Sequence, residues 1–178
     1  MRKCRCNIAG FTLIELLVAL AILVILITVG TVSYNRIFSQ QALIQRTERL
    51  YHFLRFANSQ SIKLNKKIYV HFCQLDNSGV WKMAMAEQPN CDCFTASSCL
   101  INGVERIDDL ADGQIILTSP SDVKFLSDQV SYDPIRFRTN PGSITLSDKN
   151  GGTLKVIQSR MRLKICSPNN DQMGYKKC

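Results

Sequence analysis

The segment NIAGFTLIELLVALAILVILITVG, residues 7–30, constrains this chain more than any other stretch. From Leu16 to Ile27 no residue is polar, and with the softer Thr, Gly and Ser the run extends from Phe11 to Ser33. A helix of about 20 residues spans a bilayer core of roughly 30 Å, so residues 11–33 read as a transmembrane helix. Arg2, Lys3 and Arg5 precede the run and are expected to stay cytoplasmic, with the rest of the chain on the far side. An ordinary secretory signal closes its apolar stretch with a small-residue cleavage site. Nothing like A-x-A closes this one, which continues into SYNRIFSQQ with helical character intact. The small residue, Gly10, comes before the stretch instead. A cut there removes the basic leader, residues 1–10, and leaves the anchor in place.

Glu15 is the one charge in the run. A carboxylate in a membrane helix is costly and is a functional candidate by default, although near a helix end it can also snorkel to the interface. If the chain is cut between Gly10 and Phe11, a new ammonium appears at Phe11, one helical turn before Glu15. Glu15 can then neutralise that ammonium on its own chain or on a neighbour.

The helix is expected to run on from Phe11 to about Ile62. Ile37, Ile44 and Tyr51 recur at seven residues, and Leu43, Leu50, Leu54 and Ala57 widen the same face. Residues 34–62 thus form an amphipathic half that needs a partner surface. Residues 63–178 supply it as a β-rich domain. KIYVHFCQL (67–75) alternates, DNSG is a turn, and VWKMAMA (80–86) returns. Residues 87–113 look like loop. Further strands are expected at 114–118, 123–126, 135–139, 143–147, 153–157 and 161–166. One long helix followed by many short strands predicts an α+β fold with an antiparallel sheet packed on the helix.

Eight Cys sharpen the compartment. Cys4 and Cys6 lie in the leader, while Cys73, Cys91, Cys93, Cys99, Cys166 and Cys178 follow the apolar run. An even number beyond a membrane segment predicts disulfides in an oxidising space. Cys91, Cys93 and Cys99 do not have zinc spacing, and His52 and His71 are the only imidazoles, so no metal and no cofactor is expected. There is no G-x-S-x-G, no P-loop and no pair of acids at a useful spacing, and the chain reads as non-enzymatic. His52, His71 and Trp81 read as structural, and Asp108-Asp109 as a solvated loop pair. The net charge of +8 is spread along the chain and points only broadly to anionic partners.

GFTLIE followed by an apolar helix resembles the class III signal of type IV pilins and type II secretion pseudopilins. That resemblance implies cleavage between Gly10 and Phe11 and N-methylation of Phe11 by a prepilin peptidase. It implies that Glu15 meets a neighbour's N-terminus during assembly, and that other pilins are partners through the N-terminal helix. It places the protein in the bacterial inner membrane with a periplasmic C-terminal domain, later incorporated into a pilus or pseudopilus. YDPIRFRTNPGSITLSDKNGGTLKVIQSRMRLKIC (132–166) is similar to the end of GspH/FimT-type domains, a family of minor pilins and pseudopilins. The implied role is structural, in priming or at the tip. By analogy with many pilins, Cys166 pairs with Cys178 and closes the polar loop SPNNDQMGYKK, while the pairing among Cys73, Cys91, Cys93 and Cys99 stays open.

The basic residues near the C-terminus allow two readings. Strand alternation over 160–165 puts Arg160, Arg162 and Lys164 on one face and Met161, Leu163 and Ile165 on the other. Arg136 and Arg138 likewise oppose Ile135 and Phe137. The face is either a solvated sheet surface or a surface for DNA phosphates. FimT-type minor pilins that take up DNA carry G-R-x-R near this point, and here Ser159 stands in place of its Gly.

Overall fold

The computed structural model describes residues 12–75, 79–111, 115–116, 122–135, 138–170 and 173–178, with the side chains of 29–35, 116 and 138 outside that description. The chain divides into two compact units, Met1–Ile37 and Phe38–Cys178. Helix α1, Leu13–Leu64, belongs to both.

In the first unit every large apolar side chain from Leu13 to Ile27 is exposed, so this part of α1 is apolar all round. Its described side chains end at Thr28. From Leu13 this is about 24 Å of helix at roughly 1.5 Å per residue. Among the described residues no helix is long and apolar enough to cross a membrane.

In the second unit α1 turns amphipathic. Leu43, Thr47, Leu50, Leu54, Ala57 and Ser61 are buried at helical spacing. Thr47 satisfies its buried hydroxyl by donating to the Leu43 carbonyl at 2.7 Å. Ile44 and Tyr51 flank this stripe half-buried, and Ile37 is exposed, so the buried face is narrower than expected.

Eleven strands are described after α1: β1 (Ile68–Gln74), β2 (Trp81–Ala86), β3 (Leu100–Ile101), β4 (Val104–Glu105), β5 (Ile107–Ala111), β6 (Ile115–Ile116), β7 (Gln129–Asp133), β8 (Arg138–Thr139), β9 (Gly142–Asp148), β10 (Thr153–Gln158) and β11 (Leu163–Cys166). They make an antiparallel five-stranded sheet in the order β5-β2-β1-β7-β8, an antiparallel four-stranded sheet in the order β11-β10-β9-β6, and the small hairpin β3-β4. Alternation decides what each face buries. Ile68, Val70 and Phe72 of β1 and Trp81, Met83 and Met85 of β2 join Ile144, Leu146, Leu154 and Val156 of the other sheet and the helix stripe in one core. The fold is α+β, with an N-terminal helix and antiparallel sheets.

Four expectations need correction. Residues 87–113 are not simply loop, since they hold β3, β4 and β5. β5 extends the open edge of β2, pairing Lys82 with Asp109 and Met83 with Asp108. Its two acids suggested a solvated loop; they lie in a strand, where the half-buried Asp108 meets Arg49 of α1 at 3.4 Å, while the Asp109 side chain is exposed and its backbone carbonyl accepts from Arg46 at 2.8 Å. Residues 123–126 form no strand. Val123 makes a lone bridge to Ile144, and a 3-10 turn starts at Leu126. Of the described residues in 135–139, Ile135 lies in a turn, its N–H donating to the Asp133 carboxylate at 3.0 Å, and β8 is strand; 136–137 lie outside the described residues. The real strand there is β7, which alternation around Val130 and Tyr132 could have shown. Finally, β11 starts at Leu163, two residues later than expected, which moves the basic residues discussed below.

Candidate functional site

Gly10 and Phe11, the expected processing site, lie outside the described residues. The first described contact belongs to Glu15. Its Oε2 accepts from the Thr12 N–H and from the Thr12 hydroxyl, both at 2.9 Å. The Glu15 N–H donates back to Thr12 Oγ1 at 3.3 Å. This is a capping box, in which residues three apart satisfy each other's orphan groups at a helix start. The sequence carries the signal for it, Thr-x-x-Glu before an apolar run. Both bonds from Thr12 end on one oxygen, Oε2.

The basic residues do not form one strand face. Gln158 pairs with Leu163, so residues 159–162 are the turn between β10 and β11. The Ser159 N–H donates to the Arg162 carbonyl at 2.8 Å. The Ser159 hydroxyl donates to the same carbonyl at 2.9 Å and accepts from the Arg162 N–H at 3.1 Å. Ser159 is not among the residues with positive φ, so the position does not require Gly. Arg160, Met161 and Arg162 are therefore exposed at a hairpin tip, while Lys164 lies half-buried within β11. Register puts Lys164 opposite Ile157. Arg136 and the Arg138 side chain are outside the described residues.

The cysteines organise the outer face of the five-stranded sheet. Disulfides join Cys73 to Cys93, Cys91 to Cys99, and Cys166 to Cys178. Cys93 and Cys99 are buried with Ala84 and Ala86 under a cap formed by residues 87–99. Within it, Asp92 accepts from the Phe94 N–H at 3.0 Å and the Thr95 hydroxyl at 2.6 Å. So small an apolar cluster cannot hold a polar loop by burial alone. Closing a loop of 20 residues contributes about 3 kcal/mol in the chain-entropy model. Cys178 is returned to β11 in the same way, and Tyr175 ties this C-terminal loop to α1 by donating to Glu48 at 2.8 Å. Burial and the Glu48 carboxylate push the Tyr175 phenol up to about 12, so it remains a donor at ordinary pH.

His52 is exposed on α1, edge-on to Tyr51. His71 is buried in β1, and its Nε2 lies 3.2 Å from the Gln88 carbonyl in the cap. Burial holds its pKa below the ordinary histidine value, against a smaller opposing pull from that carbonyl. The unfolded chain therefore binds the proton more readily. The contribution of His71 to stability is complete above about pH 6.5 and is lost as pH falls through the lowered folded pKa. The melting temperature should drop on going from pH 7 to pH 5, and the drop should shrink in His71→Gln. An unchanged pH profile in that variant would remove His71 as the cause. Trp81 is buried in the core. Among the described residues no three His, Cys, Asp or Glu side chains gather as a metal set.

The family model for type II transport protein GspH matches residues 46–168, and the prokaryotic N-terminal methylation motif matches residues 5–31. The chain belongs to the GspH family. GspH-type proteins are structural, pilin-like components of type IV pili or type II secretion systems, and association with other pilins follows from that membership. In this GspH-type chain the family match covers most of the core-forming part of α1 and both sheets, and the motif match includes the Thr12–Glu15 cap. No curated protein and no solved structure matches the chain.

Proposed function

We propose that this GspH-type chain is a minor subunit, processed between Gly10 and Phe11, that primes, caps or joins a type IV pilus or secretion pseudopilus. One observation carries the reading: a methylation motif and a GspH domain share one continuous helix, Leu13–Leu64. Before assembly the subunit is held in the inner membrane by residues 11–33. The apolar sequence beyond Thr28 adds the length that a span of about 20 residues requires. The domain from residue 63 onward faces the periplasm, where its cysteines can oxidise. A prepilin peptidase cuts the leader and methylates Phe11. During assembly Glu15 takes a neighbour's Phe11 ammonium. Its Oε1 is the oxygen that Thr12 does not use, which lets the cap and the intersubunit contact coexist.

Mass spectrometry of the membrane-extracted protein tests the processing. The expected N-terminal peptide begins at a methylated Phe11. A chain that still begins at Met1, or one cut beyond residue 30, overturns the proposal.

A second reading, DNA capture by a FimT-like minor pilin, is favoured by the exposure of Arg160 and Arg162 on one turn. Phosphate contacts release counterions, so such binding would weaken steeply with salt and would not depend on sequence. The full chain in detergent micelles should show no binding to duplex DNA at low or physiological salt if the assembly role is the whole function. Binding that disappears in Arg160→Gln with Arg162→Gln would establish the second reading.

A further inference from the structure

One groove of the second unit is not used by any contact described so far. It has a volume of about 220 Å³ and lies where α1, the β7-β8 hairpin and the β10-β11 turn meet. Its floor is the half-buried Leu163 and the Tyr132–Gln158 pair, over the fully buried Leu54; in that pair the phenol donates to the Gln158 side-chain carbonyl oxygen at 3.1 Å. Gln158 in turn donates to the Ser159 carbonyl at 2.7 Å, so the floor's polar groups are already satisfied. Its walls differ from the floor. Arg55 of α1 and Arg160 of the hairpin tip both line the groove, and no carboxylate does so among the described residues. Arg160 makes no ion pair among the described residues, and Met161 beside it is 88% exposed. Two edge strands border the opening, β8 through Thr139 and β11 through Leu163.

We infer that this groove seats an extended acidic segment of a neighbouring pilin-type subunit, with a carboxylate between Arg55 and Arg160 and an apolar side chain against Leu163 and Met161. The inference rests on the assembly role proposed above and adds to it the chemistry of one contact. Charge complementarity selects an anionic occupant. An exposed thioether next to an apolar floor selects a side chain over a sugar-phosphate backbone, which offers little to bury. A cavity of this size admits one or two side chains and excludes a duplex. Open strand edges present unpaired N–H and C=O groups, which an extended peptide can use and which give such docking its register.

The test is fluorescence anisotropy with the full-length protein in detergent micelles. The probes are a labelled peptide of about ten residues alternating Asp and Val, the same peptide with Lys in place of Asp, and a short duplex DNA. The acidic peptide is expected to bind and the lysine peptide is not. Arg160→Ala and Arg55→Ala should each weaken the acidic peptide about tenfold, and Met161→Ala should weaken it without changing its salt dependence. All three side chains are exposed, so these variants should keep the parent melting temperature. No binding of the acidic peptide, equal binding of the lysine peptide, or preferential binding of DNA lost in the same variants would each overturn the inference. Entry into filaments is scored separately. A protein that assembles normally but ignores the acidic peptide refutes this contact alone, whereas one that never enters a filament refutes the assembly role.

Discussion

Glu15→Ala is expected to leave the protein in the membrane and to keep it out of the filament. Two effects oppose each other. Removing a carboxylate from an apolar helix eases insertion, because the charge is the costly group there. It also removes the partner of the Thr12 N–H and hydroxyl and so weakens the helix start. If Glu15 meets a neighbour's ammonium in the assembled state, that charge loses its partner, and incorporation should fall steeply. Glu15→Gln separates the two roles. Gln still serves in a capping box but carries no charge. Both variants should therefore be found in membranes at parental levels and be missing from sheared filaments by immunoblot. If Gln assembles while Ala does not, capping is the whole role and the intersubunit charge pair is refuted.

The second large effect is expected at Gly142. This residue opens β9, opposite Gln158. A Cβ there would run into the ring of Phe125 and lie 2.6 Å from the Lys124 carbonyl oxygen. Neither can withdraw easily. Phe125 is stacked on Phe72 at 5.4 Å within the core, and the Lys124 backbone is hydrogen-bonded to Ser143 in both directions. Overpacking of this kind costs roughly 3 kcal/mol, so Gly142→Ala should lower the melting temperature by about 10 °C. Gly103→Ala is the control. It has positive φ but open space around it, and should lose only about 1–2 kcal/mol from backbone strain. Thermal unfolding followed by near-UV circular dichroism measures both. Equal losses in the two variants would show that crowding by Phe125 is not the reason for Gly142.

The helix and the strands β1, β2, β9 and β10 were legible in the sequence because their residues alternate or recur with a single period. The stretches that misled carry information that is not local. Asp108 looks solvated until Arg49, far away in sequence, is placed beside it. Leu126 and Ile135 look like strand residues, yet they sit exposed in turns, because hydrophobicity alone does not say where pairing stops. The basic row failed for the same reason. Alternation was extended through Arg160 and Arg162, but Ser159 closes a turn on the Arg162 backbone, an event set by one hydroxyl. Gly142 carries no local signal of its own, since what makes it a glycine is the crowding by Phe125 and Lys124. The Thr12–Glu15 pair is legible as Thr-x-x-Glu at a helix start, a local pattern that needs no tertiary partner.

The cross-link from Cys73 to Cys93 also has a mechanical side. A subunit of a filament can be pulled, and the load then travels along the covalent chain. Here it can pass straight from β1 into the cap, and the intervening segment, residues 74–92 with β2 inside it, carries none of it. At about 3.4 Å per residue, roughly 70 Å of slack is withheld from any stretched state. The strand β2 can be peeled from its neighbours but not drawn out, and it stays tethered where it must re-pair. Oxidation thus acts as a stop on extension, setting how far the domain can yield under tension before covalent bonds bear the force.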